Sequence, residues 1–285
     1  MRITPIARPV AFAVLLVTIL LSSKAAVSED SKNSAASRVQ IDVPEFLPKE
    51  SRPLAELKID NGRVFQHNNS LLLVLDQLPE NGVQAMPRIC NVVESVNWLN
   101  GDPEKPLTLI PEITVWNIKL QDVPTGPNRV LVLALDAEPR LFDKTVIASE
   151  DSEHVIHLPA KFARTSGEKL RFEPQPHKNT VGYWTVEKDT VEWWFRVDRP
   201  GDYVVEIFQG CGKDQGGSDV DVLVGGATLS FVVKDTGHFQ NFEWRSLGQV
   251  ALPKSEKSVL KIVPRHKAVN AVMDVREVRL VPAGK

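Results

Sequence analysis

Val191-Glu192-Trp193-Trp194-Phe195-Arg196-Val197 reads as a strand with one apolar face. Val191, Trp193, Phe195 and Val197 alternate with Glu192, Trp194, Arg196 and Asp198, and a period of two places each set on its own side of a sheet. Arg199-Pro200-Gly201-Asp202 follows as a turn, because Pro-Gly cannot continue a strand. Tyr203 to Phe208 is then expected to return as the second arm of a hairpin. Downstream, Val220, Val222 and Val224 alternate up to Gly225-Gly226, a pair suited to the positive φ of a two-residue hairpin turn. Leu229, Phe231 and Val233 come back. Thr236-Gly237 breaks the chain before Phe242 and Trp244, and Leu260 and Ile262 mark a further strand. The apolar phase slips between Met273/Val275 and Val278/Leu280, which predicts a bulge in the last strand. With no helical spacing anywhere in the stretch, the fold class is all-β, a sandwich or jelly roll. Trp193 and Trp244 are expected in its core.

The order Gly182-Tyr183-Trp184, Trp193/Phe195, Pro200-Gly201-Asp202-Tyr203, Gly217-Ser218, Thr236-Gly237 and Met273-Asp274-Val275-Arg276 resembles galactose-binding-like jelly-roll modules. It is most similar to the jelly roll appended to some bacterial alpha-L-fucosidases of glycoside hydrolase family 29, and more distantly similar to family 6 carbohydrate-binding modules. The preceding stretch is also strand-rich. Leu71 to Leu75, Val92 to Trp98, the Trp116/Ile118/Leu120 alternation and Val130 to Leu135 read as strands, with Asn81-Gly82 and Asn100-Gly101 as turns. Val130 to Leu135 is apolar on both faces, as in a central strand. Leu71–Asp76, Val92–Trp98 and Arg129–Pro139 resemble the β-sandwich that follows the barrel in the same fucosidases. Residues 54–141 are therefore expected to form a first sandwich and 145–283 the jelly roll.

The N-terminus adds a secretory pattern. Arg2 and Arg8 precede the apolar run Val10 to Leu21, and Ser23-Lys24-Ala25-Ala26 offers small residues for cleavage. Residues 1–26 are read as a signal peptide, since the run is shorter than the ~20 residues of a membrane span. The polar, Pro-containing residues 27–53 read as a flexible linker. The expected location is secreted or periplasmic, with no membrane association after cleavage.

Lys and Arg number 34 against 36 Asp and Glu, and no basic stripe is visible, so no nucleic-acid partner is expected. The two cysteines, Cys90 and Cys211, fall in different sandwiches and are expected as free, partly buried thiols. His154 and His157 are three apart, but in a loop or strand that spacing does not join them. No His-Glu-x-x-His or Gly-x-Ser-x-Gly pattern is present. Asp274 alone does not make a calcium site, which needs six to eight oxygens. No metal, cofactor or catalytic residue is expected.

Sugar recognition needs flat apolar faces together with polar groups. The resemblance to family 6 modules puts the loop aromatics at Tyr183, in Gly182-Tyr183-Trp184, and at Phe239, in Gly237-His238-Phe239, so Tyr183, Trp184, His238 and Phe239 are the candidate ligand-binding residues. Phe239 stands where those modules usually carry Trp. Val272 replaces a usual Asn, and Asn270 is its nearest polar neighbour in the chain. A family 29 enzyme also carries a catalytic (β/α)-barrel, a fold of about 250 residues, with a carboxylate pair about 5 Å apart. The segment before the first sandwich has no such pattern. The chain is therefore expected to be a non-catalytic carbohydrate-binding or accessory protein with a glycan or cell-envelope polysaccharide as partner. Two alternatives stay open: a structural cell-envelope protein-interaction module, and a truncated or split alpha-L-fucosidase whose barrel is a separate catalytic chain.

Overall fold

The computed structural model describes residues 42–284. The signal peptide and most of the linker lie outside the described residues. The architecture is all-β: two sandwiches in sequence, with one 3-10 turn, Ala160–Phe162, as the only helical element among the described residues.

The first sandwich contains β1 (Arg52–Pro53), β2 (Gly62–His67), β3 (Ser70–Leu75), β4 (Val83–Pro87), β5 (Val93–Trp98), β6 (Leu109–Pro111), β7 (Val115–Lys119) and β8 (Val130–Leu135). One sheet has the order β1-β2-β3-β8-β5 and the other β4-β7-β6. The double-sided apolarity of β3 and β8 has a direct cause. Leu71, Leu73, Leu131 and Leu133 face the main core, whereas Leu72, Val74 and Val130 join Phe65 in a second cluster on the outer face. Leu47 seals that cluster. The end of the predicted linker is thus part of the fold: Leu47 and Ser51 are buried, and Arg52–Pro53 pairs with β2. Composition alone missed this because one buried leucine suffices to tether a polar segment.

The second sandwich contains β9 (Ile156–Pro159), β10 (Arg164–Ser166), β11 (Arg171–Glu173), β12 (Thr180–Gly182), β13 (Thr190–Val197), β14 (Gly201–Cys211), β15 (Asp219–Val224), β16 (Ala227–Val232), β17 (His238–Leu252), β18 (Ser255–His266) and β19 (Asp274–Pro282). Its sheets run β10-β13-β18-β15-β16 and β11-β12-β19-β14-β17, with β9 also pairing β19. Val191, Trp193, Phe195 and Val197 are fully buried, as the alternation requires, and Trp193 Nε1 donates to the Pro159 carbonyl at 2.9 Å across the two sheets. β15 and β16 form the Gly225-Gly226 hairpin, with φ of 58° and 79°. The predicted bulge falls at Arg276, which is skipped as Phe208 pairs Glu277 and Gln209 pairs Val275.

Two expectations fail. The Pro200-Gly201 turn does not close a hairpin: β13 pairs β10 and β18, whereas β14 lies in the other sheet between β19 and β17. The turn is an arch between sheets. Glu150 Oε1 accepts the Asp198 and Arg199 amides at 2.8 and 2.9 Å, and the Tyr203 hydroxyl donates to the Arg199 carbonyl at 2.7 Å, satisfying backbone groups that leave one ladder before joining the next. Trp244 is not in the core. It is 38% exposed on the outer face, stacked on Phe208 at 4.7 Å with the Arg279 guanidinium 4.1 Å from its ring.

The sandwiches share one contiguous set of buried side chains. Trp116 of the first meets Phe172 of the second at 6.3 Å. Arg88, wholly buried, stacks on Phe142 and Phe172 and donates to the Lys161 carbonyl at 3.1 Å. Burial brings its pKa down to about 10. Cys90 and Cys211 are free and buried, and desolvation pushes both thiols up to about 11, which leaves them poor nucleophiles at neutral pH.

His157 on β9 bridges Glu277 Oε1 at 2.5 Å and Asp151 Oδ2 at 3.1 Å. Partial burial lowers its pKa, but its hydrogen bonds to Glu277 and Asp151 outweigh that and hold it above the usual histidine value. Stability from this clasp is therefore fully present below the unfolded-state value of about 6.5 and is lost as pH rises through the raised folded value. The melting-temperature gap between wild type and His157→Gln should shrink with rising pH across this window, and a gap that stays constant would show that the clasp contributes no charge pairing.

Candidate functional site

The site begins with a buried carboxylate. Asp189, immediately before β13, is fully buried and accepts the amides of Glu168, Lys169 and Leu170, each at 2.8 Å. Gly167, at φ +124°, makes room for it, because a β-carbon there would lie 1.9 Å from Asp189 Oδ1. The Asp189 carbonyl takes the indole N–H of Trp184 at 3.1 Å, and the Trp184 carbonyl takes the Val272 amide at 2.9 Å. Trp184 is thereby held wholly inside. Its neighbour Tyr183 adopts φ 60°, in the left-handed region, and turns outward to 49% exposure. The Arg171 guanidinium lies 4.1 Å from the Tyr183 ring centre and supports it.

Opposite lies the start of β17. Gly237, at φ +82°, turns the chain, leaving His238 exposed and Phe239 half-buried. Phe239 packs against Gly212, where a β-carbon would come within 2.6 Å of its ring. Thr236 anchors the loop by accepting the Cys211 amide at 2.8 Å. Between these walls is a cleft of about 720 Å³, within the size range of small-molecule sites. Tyr183, Trp184, His238 and Phe239 all border it. Trp184 contributes only to its floor, since its buried ring offers no stacking face. Lys213, Gln215 and Asn270 border it too, and the Gln215 side chain accepts the Asn270 amide at 3.1 Å. Asn270 therefore reaches the cleft that Val272, fully buried, does not.

Glu173, Lys178, Gln240 and Asp274 were not singled out as ligand residues from the sequence, yet they line the same floor. Glu173 and Asp274 approach across Gly182: a β-carbon at 182 would lie 2.8 Å from Asp274 Oδ1 and 2.9 Å from Glu173 Oε2. Lys178 Nζ pairs with Glu173 Oε1 at 2.7 Å, and Gln240 Nε2 approaches Asp274 Oδ2 at 3.4 Å. Burial, and next the charge of Glu173, push the Asp274 carboxyl well above the usual carboxylate range, against Lys178, Arg276 and Gln240. No local pattern in the sequence could have found them, because the pairing of β11, β12 and β19 that gathers them is long-range. Among the described residues no group of His, Cys, Asp and Glu could hold a metal.

No protein-family model matches the chain, and no curated protein matches it. Solved structures similar to it include an alpha-L-fucosidase from Vibrio sp. strain EJY3, 16% identical over 78% of this chain with a TM-score of 0.34. The C-terminal CBM6 of a marine laminarinase from Zobellia galactanivorans is 15% identical over 45% of this chain and 99% of its own, with a TM-score of 0.37. The insecticidal crystal protein Cry2Aa is 11% identical over 58% of this chain, with a TM-score of 0.42. The chain spans 40% of the fucosidase and 28% of the crystal protein. Likenesses this loose carry no functional weight.

Asp189→Ala would strand the buried Leu170 amide, worth ~1–3 kcal/mol when left without a partner, and release the part-buried Glu168 and Lys169 amides to water. The variant should lose ~1–3 kcal/mol in denaturant unfolding, with the Tyr183 and Trp184 resonances broadened first. An unfolding midpoint equal to wild type would refute the anchoring role.

Proposed function

We propose that this chain is an exported, non-catalytic carbohydrate-binding or accessory protein that holds a glycan in the cleft between Tyr183 and Phe239. The observation that carries this reading is the exposed Tyr183 ring, set in the left-handed region and backed by Arg171 at the mouth of a cleft with Phe239 on its other wall. Aromatic faces suit the C–H side of a sugar ring, and His238, Gln240, Asn270 and Lys213 are placed for its hydroxyls. The sequence resemblance to fucosidase accessory modules points the same way.

The carboxylates argue for binding without catalysis. A retaining glycosidase sets its pair about 5 Å apart on either side of the scissile bond. Glu173 is instead engaged by Lys178 at 2.7 Å and Asp274 is buried, so neither stands free beside a bound sugar.

A glycan-array screen of the full chain, followed by calorimetric titration of the best soluble hit, tests the reading. Truncating an aromatic hot spot costs ~2 kcal/mol or more, so Tyr183→Ala should weaken binding by more than about tenfold with little change in melting temperature. Phe239→Ala should weaken it similarly and also lower the melting temperature, because that ring is packed on Gly212. Absence of any glycan hit, or wild-type affinity in Tyr183→Ala, would overturn the proposal and favour a protein-interaction module.

A further inference from the structure

We infer that Glu173 and Asp274 hold one proton between them under conditions where ordinary carboxylates are ionised, and that Asp274 presents it to the cleft as a hydrogen-bond donor. The donor role rests on the reading of the cleft as a ligand site; the shared proton does not.

The geometry makes the pair compete for one charge. Asp274 opens β19 beside Gly182 of β12, and Glu173 lies on β11 at the far side of the same short strand. Glu173 pairs Thr180 and so shares its face with Gly182, two residues along, while Arg171, the partner of Gly182, is turned onto the Tyr183 ring at 4.1 Å; with no side chain at 182 both carboxyls border one gap. A single cation is bonded there, and Lys178 gives its 2.7 Å contact to Glu173. Asp274, 5% exposed, receives only the long contact from Gln240. The other groups around it do not neutralise it. The Arg276 guanidinium is turned onto Phe242 at 4.0 Å and donates to the Lys178 carbonyl at 2.7 Å. Cys211 is a neutral thiol, and its neighbour Asp235 is a further negative charge. His238 stands on the opposite wall and accepts the Gln240 amide through Nδ1 at 3.1 Å. Two carboxylates in one gap with one bonded cation retain a proton, as paired carboxyls do. Asp274 holds it, being the member without the lysine.

A protonated acid on the floor donates to an acceptor oxygen of the ligand, such as a sugar hydroxyl or ring oxygen. Deprotonation would replace that donor with a buried negative charge facing the ligand's oxygens. Affinity should therefore be greatest below the Asp274 titration and fall above it.

Two measurements on the full chain decide the matter. With ¹³C-labelled Asp and Glu side chains, the carboxyl resonance lost in Asp274→Asn should titrate above all the surface carboxylates, and in Glu173→Gln it should move down. Titration of Asp274 together with the surface carboxylates would overturn the shared proton. So would saturable shifts of both resonances on adding calcium chloride, which would make the gap a cation site. The second measurement is the affinity for laminarin, galactomannan and xylan against pH. Binding of any of them should weaken by about tenfold or more through the Asp274 titration, and Asp274→Asn should keep a flat profile. An undiminished pH profile in Asp274→Asn would overturn the donor role. A raised Asp274 titration with none of the three bound would count against the glycan reading and leave the shared proton standing.

Discussion

A carboxylate buried for its acceptors, not its charge, organises the cleft end of this protein. Asp189 sits at zero exposure and collects three backbone amides, of which that of Leu170 would otherwise be buried without a partner. Because Asp189 also receives the Trp184 indole through its carbonyl, the fixed loop and the fixed tryptophan are the same constraint. With Trp184 pinned inward, the next backbone step must turn Tyr183 out. The strained φ of Tyr183 is thus maintained by the packing behind it, and the ring arrives at the cleft without needing a ligand to order it.

How much of this was legible in the sequence follows from the range over which each signal acts. The burial of Val191, Trp193, Phe195 and Val197, the Gly225-Gly226 hairpin and the bulge at Arg276 were all readable, since each depends on side chains within one or two strands. The Pro200-Gly201 turn was readable as a reversal but not as an arch. Turn chemistry sets the local backbone and is silent about which ladder the next strand joins. Trp244 misled because a large aromatic on a strand usually faces inward, whereas here Phe208 and Arg279 cover both the ring and their own apolar surface. Asp189 carries no local signal, because the amides it binds, at 168 to 170, belong to a different loop.

The lining of the cleft was half visible. Tyr183 and Phe239 were found through a resemblance in their motifs, and both border the cleft. Glu173, Gln240 and Asp274 come from three different strands, and only the β11-β12-β19 order and the missing side chain at Gly182 bring the two carboxyls together. Glycine here works by subtraction. At 182 it leaves the gap for two acids, at 212 the bed for Phe239, and at 167 the space for Asp189.

The core shared by the two sandwiches bears on how this protein can be inherited and cut. Trp116 and Phe172 lie on opposite sides of the junction, and Arg88 is wrapped by rings following it in the chain. Severing the chain between residues 141 and 145 would open that seam, baring an aromatic face on each fragment and returning the guanidinium to water. The pair is therefore a single portable cassette. A recombination event that moved the second sandwich alone would leave Phe172 without the Trp116 and Arg88 side chains that pack on it.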